Sequence, residues 1–406
     1  MRKLLQINSV VNSASTGKIT EQISDKAIQN NWTSYIGYGR YANSSSAELI
    51  KIGNRVDFYG HIFKSFILGK HGLGSKEATK NFIEEVLDIK PDIIHLHNIH
   101  GYYLNYEVLF RFLKSFNGEI VWTLHDCWSF TGHCSYFSDI NCNKWISGCK
   151  TCPKLKNYPK SLILDTSKTA YHLKKSLFSN LDNLQIVTVS EWLHNLVSTS
   201  FLKDHSIVTI NNAVDLSVFK PKEINSHLIK KYNISNKFIM IAAATAWSKN
   251  KGFDDYLELS SLLSDDEIIV LIGLKDNVIK KLPFNIIGIS RTENQMELAD
   301  WYNIADVVLN LSYQETFGMT SAEGFACGKP TIVYNVTASP ELVSKDELGY
   351  IIEPGIISEV YKAVEKIKKN GNFFYSDACR KNALEKYNKE TQFQKYIELY
   401  DKLLNK

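Results

Sequence analysis

SYQETFGMTSAEGFACGKP, residues Ser312 to Pro330, follows the apolar, β-branched run Asp306 to Leu311 (DVVLNL), and this junction decides how the chain is read. The run has the length and composition of a buried strand. Gly318 opens a helix, with Gly328 as its C-terminal cap and Pro330 just beyond. A helix beginning near Gly318 to Thr320 aims its first N–H groups at the exit of the strand, which is an anion site. Glu315 lies on the loop in front of those amides and Glu323 more than a turn inside the helix, so the two carboxylates have different tasks. A carboxylate facing a helix-bound anion repels it unless the anion belongs to a larger ligand whose hydroxyls need acceptors. A nucleotide-sugar has that shape.

Upstream of this junction the same strand-loop-helix order recurs. Lys237 to Ala244 is a strand, Trp247-Ser-Lys249-Asn-Lys251-Gly252 a loop, and a helix starts at Asp254. Lys249 and Lys251 on such a loop suit a diphosphate, because point cations neutralise charge on a leaving group, although loop lysines are also commonly just solvated. Ile268 to Leu271 and Asn285 to Ile289 continue the strands, and Ser290-Arg291-Thr292 forms the next loop.

The first half begins with the strand Lys3 to Ser9 and a helix from Gly17. Gly17-Lys18 is not a P-loop, since the position five residues earlier is Asn12, and no G-x-G-x-x-G follows the strand, which disfavours a dinucleotide-dependent dehydrogenase. Gly17 serves either a ligand phosphate or packing. Asp92 to His97 (DIIHLH) and Ile120 to Leu124 are buried parallel strands, the second ending at His125-Asp126, and ligands of open α/β sheets lie beyond such carboxyl ends. Alternation sends His95 and His97 to one face, where hydrogen-bonded structural histidines are the commoner outcome; His125 stands at the strand tip. From Val56 a helical stretch carries Phe58, Tyr59, Ile62, Phe63, Phe66, Ile67 and Leu68 among basic residues, and reads either as a core helix or as an interfacial one. Thr391 to Leu404 is amphipathic.

Cys134, Cys142, Cys149 and Cys152, followed by Pro153, fall close together, and four thiolates at such spacing suit a structural zinc with no open position, His133 being a possible replacement ligand. Free thiols and a redox C-x-x-C are the alternatives. At 406 residues, with 44% hydrophobic and 22% charged residues, the chain is expected to hold two or three globular domains, and disorder and fibres are excluded. The net charge of +4 is too small to indicate nucleic acid. Leu4 to Val11 is too polar for a signal peptide and no apolar run reaches membrane-spanning length, so a cytoplasmic protein is expected.

E-x7-E followed by G-K-P resembles the signature of the retaining glycosyltransferases of the B-fold type (family four, glycosyl transferases group 1). The resemblance implies that Glu315 touches the donor sugar, Glu323 the ribose hydroxyls, and the Gly318, Met319 and Thr320 amides, with Phe317 beside them, the diphosphate. It carries over His125 as a contact to the donor sugar, Lys251 as the motif lysine, and the Arg291 loop as the place of the nucleobase. Where the family has an arginine upstream of Lys251, this chain has Thr245, Ala246 and Trp247, and Lys249 is taken as the substitute. Asn211-Asn-Ala-Val-Asp215 is similar to the family's hinge, with Ala213 at the usual glycine. PDIIHLHNIHGYYLN, TLHDCWSFTGHC and the C-x-x-C-P look like the colanic-acid branch of polysaccharide transferases.

The expected architecture is therefore two doubly wound Rossmann-like α/β domains facing across a cleft (GT-B fold). Residues 1–214 with the helix 391–406 would form the acceptor-side domain, carrying a zinc loop at about 127–160, and 215–390 the nucleotide-sugar domain. The expected donor is a UDP- or GDP-sugar, and the absence of any Asp-x-Asp goes with no catalytic divalent metal. The acceptor would be a lipid-linked saccharide for capsule, exopolysaccharide or O-antigen, with peripheral contact at the cytoplasmic face of the inner membrane. An epimerase of the same fold and a zinc-containing binding module are the alternatives.

Overall fold

A computed structural model describes residues 1–405. The chain divides into two compact units, Met1–Ile210 with the chain's end from Phe393, and Asn211–Gln392. The first holds a parallel sheet of β1 (Lys3–Asn8), β2 (Thr33–Tyr38), β3 (Glu48–Lys51), β4 (Ile93–Leu96), β5 (Glu119–Leu124), β6 (Leu184–Thr188) and β7 (Ser206–Thr209), in the order 3-2-1-4-5-6-7. The second holds β8 (Phe238–Ala243), β9 (Glu267–Ile272), β10 (Ile286–Ile289), β11 (Val307–Asn310), β12 (Thr331–Tyr334) and β13 (Gly349–Ile352), in the order 10-9-8-11-12-13. Strands covered on both faces by helices must be apolar throughout, which is why β9 (EIIVLI) is buried along its whole length. Its one carboxylate, Glu267, is tolerated because Lys368 Nζ reaches it at 2.9 Å.

In each sheet the winding reverses once, between β1 and β4 in the first and between β8 and β11 in the second. At such a point neighbouring loops leave in opposite directions and open a crevice at the carboxyl ends of the strands.

The helix Lys389–Leu404 begins in the second unit and ends in the first. Phe393, Tyr396, Ile397, Tyr400 and Leu403 form its buried stripe. Tyr400 Oη meets His95 Nδ1 at 2.7 Å and packs at 5.7 Å on Trp32, so this helix is held to the first sheet by polar as well as apolar contacts.

The helix Arg55–Leu68 departs from a core helix. It is capped by a reciprocal Asn54/Asp57 box and stopped by Gly69 in the left-handed region. Its buried residues are His61 and Ser65, whereas Val56, Tyr59 and Phe63 are between 63% and 80% exposed. His61 goes inward because it is satisfied there: its Nδ1 meets Ser75 Oγ at 3.0 Å and its Nε2 accepts from the Gly72 amide at 3.1 Å. Among the described residues no helix is long and apolar enough to cross a membrane.

Candidate active site

Glu315 and Lys251 are 64 residues apart in sequence, yet Lys251 Nζ lies 2.5 Å from Glu315 Oε1. Topology brings them together. Lys251 leaves the loop after β8 and Glu315 the loop after β11, and these strands are neighbours at the reversal of the sheet. The two loops are then fastened to each other. The Tyr313 amide donates to the Asn250 carbonyl at 2.9 Å, and Asn250 Nδ2 donates to Gln314 Oε1 at 3.3 Å. Gly252, at φ +70°, lies so close to β11 that a Cβ would stand 2.1 Å from the Leu311 carbonyl oxygen. Only glycine fits there, and its presence seats Lys251 against the Glu315 loop.

Gly318, at φ +97°, caps the helix Met319–Ala326, and its carbonyl accepts from the Ser321 and Ala322 amides. The Met319 and Thr320 amides precede that ladder at the helix's positive end. Thr320 Oγ1 donates to the Ala243 carbonyl at the tip of β8 at 3.2 Å, which fixes this end beside the Lys251 loop. The Glu315 backbone is held on the other side, its amide donating to Thr337 Oγ1 at 2.9 Å and its carbonyl accepting from Ala338. Phe317 is buried edge-to-face on Tyr387, so a ligand could meet it only through its backbone. Lys249 is exposed on the turn Lys249–Lys251, and Arg291 is exposed on the loop after the edge strand β10.

Glu323 is half-buried inside the helix, and Tyr302 Oη donates to its Oε2 at 3.0 Å. Burial, then the Glu323 charge, pushes the Tyr302 hydroxyl well above its ordinary range, so it remains a donor. Tyr302 escaped sequence reading because a tyrosine inside a helix carries no pattern pointing to a partner 21 residues away.

In the first unit His125 follows β5 and lines a hollow with Asn98, His100, Asp126 and Ser129. Burial pushes His125 down to about 4, with Asp126 opposing and His100 adding, so it is neutral at pH 7. His100 Nε2 lies 3.0 Å from Asp126 Oδ2 and its Nδ1 2.9 Å from Tyr158 Oη. Burial alone would raise the Asp126 carboxyl, but His100 and the Trp128 amide hold it below its ordinary value. Gly17 sits in the first turn of the helix Ala14–Gln29, where a Cβ would be 3.0 Å from Val10 and 3.3 Å from the Asn12 amide nitrogen. These close approaches favour a glycine at this position by packing.

The cysteine loop lends the zinc expectation no support. Cys134, Cys142, Cys149 and Cys152 line one pocket with His133, yet among the described residues no group of three or more His, Cys, Asp or Glu side chains could hold a metal ion. The free Cys134 and Cys152 thiols are hydrogen-bonded to each other, and Cys149 Sγ accepts from the Gly132 amide at 3.2 Å. What holds the loop is an aromatic cluster, Phe137 stacked on Trp145 at 5.1 Å with Phe130 edge-on, together with Lys174. Lys174 is buried, donates to the Trp128 and Thr131 carbonyls at 2.6 and 3.1 Å, and lies 3.4 Å over the Trp128 ring.

Residues 225–387, which include Lys251, Glu315 and Glu323, match the family model described as glycosyl transferases group 1. A putative colanic acid biosynthesis glycosyl transferase of Escherichia coli K12 is 22% identical over 98% of this chain and 100% of its own length. The N,N'-diacetylbacillosaminyl-diphospho-undecaprenol alpha-1,3-N-acetylgalactosaminyltransferase of Campylobacter jejuni is 24% identical over 54% of this chain and 61% of its own. Among solved structures, Anabaena HepE in complex with UDP-glucose superposes with a TM-score of 0.67 at 14% identity, covering 99% of this chain and 100% of its own. The architecture is thus that of GT-B glycosyltransferases, two parallel-sheet α/β units. These matches give no support to the epimerase or the binding-module alternative.

Proposed function

We propose, for a chain that is a glycosyltransferase with a group 1 domain over residues 225–387, that it moves a sugar with retention from a UDP- or GDP-sugar to a lipid-linked saccharide in bacterial surface polysaccharide synthesis. The observation that carries the reading is the 2.5 Å approach of Lys251 and Glu315 at the reversal of the second sheet, beside a helix N-terminus. A cation and helix amides converge where a diphosphate would bind, with a carboxylate in reach of sugar hydroxyls. In the reaction the bond from the sugar's anomeric carbon to the diphosphate oxygen breaks, and one to the acceptor oxygen forms. Lys251 and the Met319 and Thr320 amides stabilise the charge left on the diphosphate, one of whose oxygens takes the acceptor's proton. Glu323, oriented by Tyr302, holds the ribose, and by the family resemblance His125 contacts the donor sugar. Retention and the roles of Lys249 and Arg291 rest on the family resemblance, and the UDP-glucose complex of the Anabaena protein supports the donor class.

Melting in the presence of UDP, GDP or NAD tests the donor site. A diphosphate at about a hundred times its dissociation constant should add about 2.7 kcal/mol of stability, and Glu323→Ala should lose most of that shift. A shift of equal size in the variant, or none with either diphosphate, defeats the assignment.

A lipid-linked acceptor is supported by the diphospho-undecaprenol named for the Campylobacter relative and by the outer face of the helix Arg55–Leu68. Val56, Tyr59 and Phe63 lie there beside exposed Arg55 and Lys64. The exposed run Leu162-Ile163-Leu164 joins them, fixed by the Leu162 amide donating to the Phe66 carbonyl at 2.8 Å, with Lys156 and Lys160 nearby in sequence. Apolar and aromatic residues rimmed by lysine and arginine suit an anionic bilayer surface. Flotation with vesicles containing anionic lipid should retain the protein and release the Tyr59→Ser/Phe63→Ser variant. Equal binding by both, or none by the native chain, removes this face from the proposal.

A further inference from the structure

Three side chains in the first unit form a directional chain of hydrogen bonds ending at His125. Gln6 on β1 is fully buried, and its Nε2 lies 2.8 Å from the Thr20 carbonyl oxygen and 2.8 Å from Ser24 Oγ. A backbone carbonyl can only accept, so this end of the amide is the NH2 group and the opposite end is the carbonyl oxygen. That oxygen, Oε1, faces His97 Nε2 at 3.0 Å. Amide oxygens accept only, so His97 carries its proton on Nε2. His97 Nδ1 is then a bare lone pair, and it faces His125 Nε2 at 3.1 Å. His125 must therefore carry its proton on Nε2, and its Nδ1 is bare in turn.

Each step requires a neutral ring. His97 and His125 are 2% and 8% exposed, and His97 is held well below its ordinary range by burial first, then by His95 and His125. No carboxylate contributes to His97, and the Asp126 charge does not bring His125 back above about 4. Sheet register makes the chain possible: Gln6 lies opposite His95 on β4, so His97, two residues on, projects from the same face.

We propose that Gln6, acting through His97, is a positioning residue that fixes His125 in the Nε2–H tautomer, so that His125 presents Nδ1 as a hydrogen-bond acceptor to a hydroxyl of the donor sugar. The tautomer stands on the geometry alone, and its use toward the sugar rests on the His125 role in the proposed function. A ring locked this way receives a hydrogen bond and donates none through Nδ1. It favours a donor sugar bearing a free hydroxyl at that position over one bearing a carboxylate, whose oxygens would face the same lone pair.

Long-range proton–nitrogen correlation spectra of the full chain, with nitrogen-15 in histidine and His125 assigned by its loss in His125→Phe, read the tautomer directly. At pH 7 His125 Nδ1 should resonate as a bare nitrogen and Nε2 as a protonated one. Gln6→Met keeps the length and removes the acceptor, and should move both His125 nitrogens toward averaged positions. Gln6→Glu puts a carboxylate against His97 and should charge its ring, so that Nδ1–H then donates to His125 Nε2 and the His125 pattern reverses, which provides a readout if Gln6→Met does not fold. A protonated Nδ1 in the native chain, or a pattern that Gln6→Met leaves unchanged, overturns the proposal. In transfer assays Gln6→Met should lower kcat/KM about tenfold, the worth of one oriented hydrogen bond. If His125→Phe leaves kcat/KM unchanged while the spectra match, the sugar contact falls and the tautomer chain stands.

Discussion

Acidification from pH 7 to 5 should unfold the first unit, with proton uptake, well before carboxylates protonate. His61 and His125 are pushed down to about 4, and His71, His95 and His97 well below 6.5, in every case chiefly by burial. An unfolded histidine titrates near 6.5, so above that pH all five are neutral in both states and their contribution is intact. As pH falls below 6.5 the unfolded chain takes up protons that the folded unit refuses, and stability drops until the folded values near 4 are reached. Each such group costs about 1.4 kcal/mol per pH unit in that window. Five such groups over the window from 6.5 to 5 lose together about 10 kcal/mol, which is the size of the roughly 5–15 kcal/mol that holds a domain. Circular dichroism melts at half-unit steps of pH should show the collapse, and His61→Asn should reduce the slope. A melting temperature that is flat from pH 7 to 5 would contradict the buried neutral histidines.

Lys251→Met should lower kcat by about a hundred- to a thousandfold, the cost of removing one preorganised charge from a developing anion, about 2.7–4 kcal/mol. The methionine preserves length and apolar stem, and Lys251 is partly exposed, so folding should survive. Its loss also leaves Glu315 without the cation 2.5 Å away, and that carboxylate then faces the diphosphate unneutralised. KM for the donor should therefore rise together with the fall in kcat, whereas Lys249→Met, on the exposed end of the same turn, should cost much less. Equal losses for the two lysines would place the diphosphate elsewhere on the loop. Undiminished turnover in Lys251→Met would remove this lysine from the chemistry.

Local chemistry made much of this legible. Apolar β-branched runs alternating with helical stretches dictate parallel sheets, because only strands covered on both faces can be apolar throughout. Gly318, Gly328 and Pro330 mark their helix by backbone preference alone, and the helix Met319–Ala326 lies within those marks. The spacing of Glu315 and Glu323 separates a loop carboxylate from a helical one without knowledge of the rest of the chain.

Other features depend on which surfaces meet, and spacing does not encode that. The cysteine spacing suited a metal, whereas what braces the loop in the fold is the aromatic cluster of Phe130, Phe137 and Trp145 with the buried Lys174. The apolar periodicity of Arg55–Leu68 did not say which face turns inward, because His61 is buried only where the distant Ser75 and Gly72 satisfy both its ring nitrogens. Gly252 becomes indispensable through the Leu311 carbonyl, and Glu323 gains Tyr302 from another helix, across separations that sequence does not link. By itself the sequence determined two parallel α/β sheets and the helix that opens behind Glu315, since local patterning and backbone preference suffice for both. Only the tertiary structure decided that Lys251 meets Glu315 and that Gln6 reaches His97 and His97 reaches His125, because strand order and register bring those groups within hydrogen-bond reach.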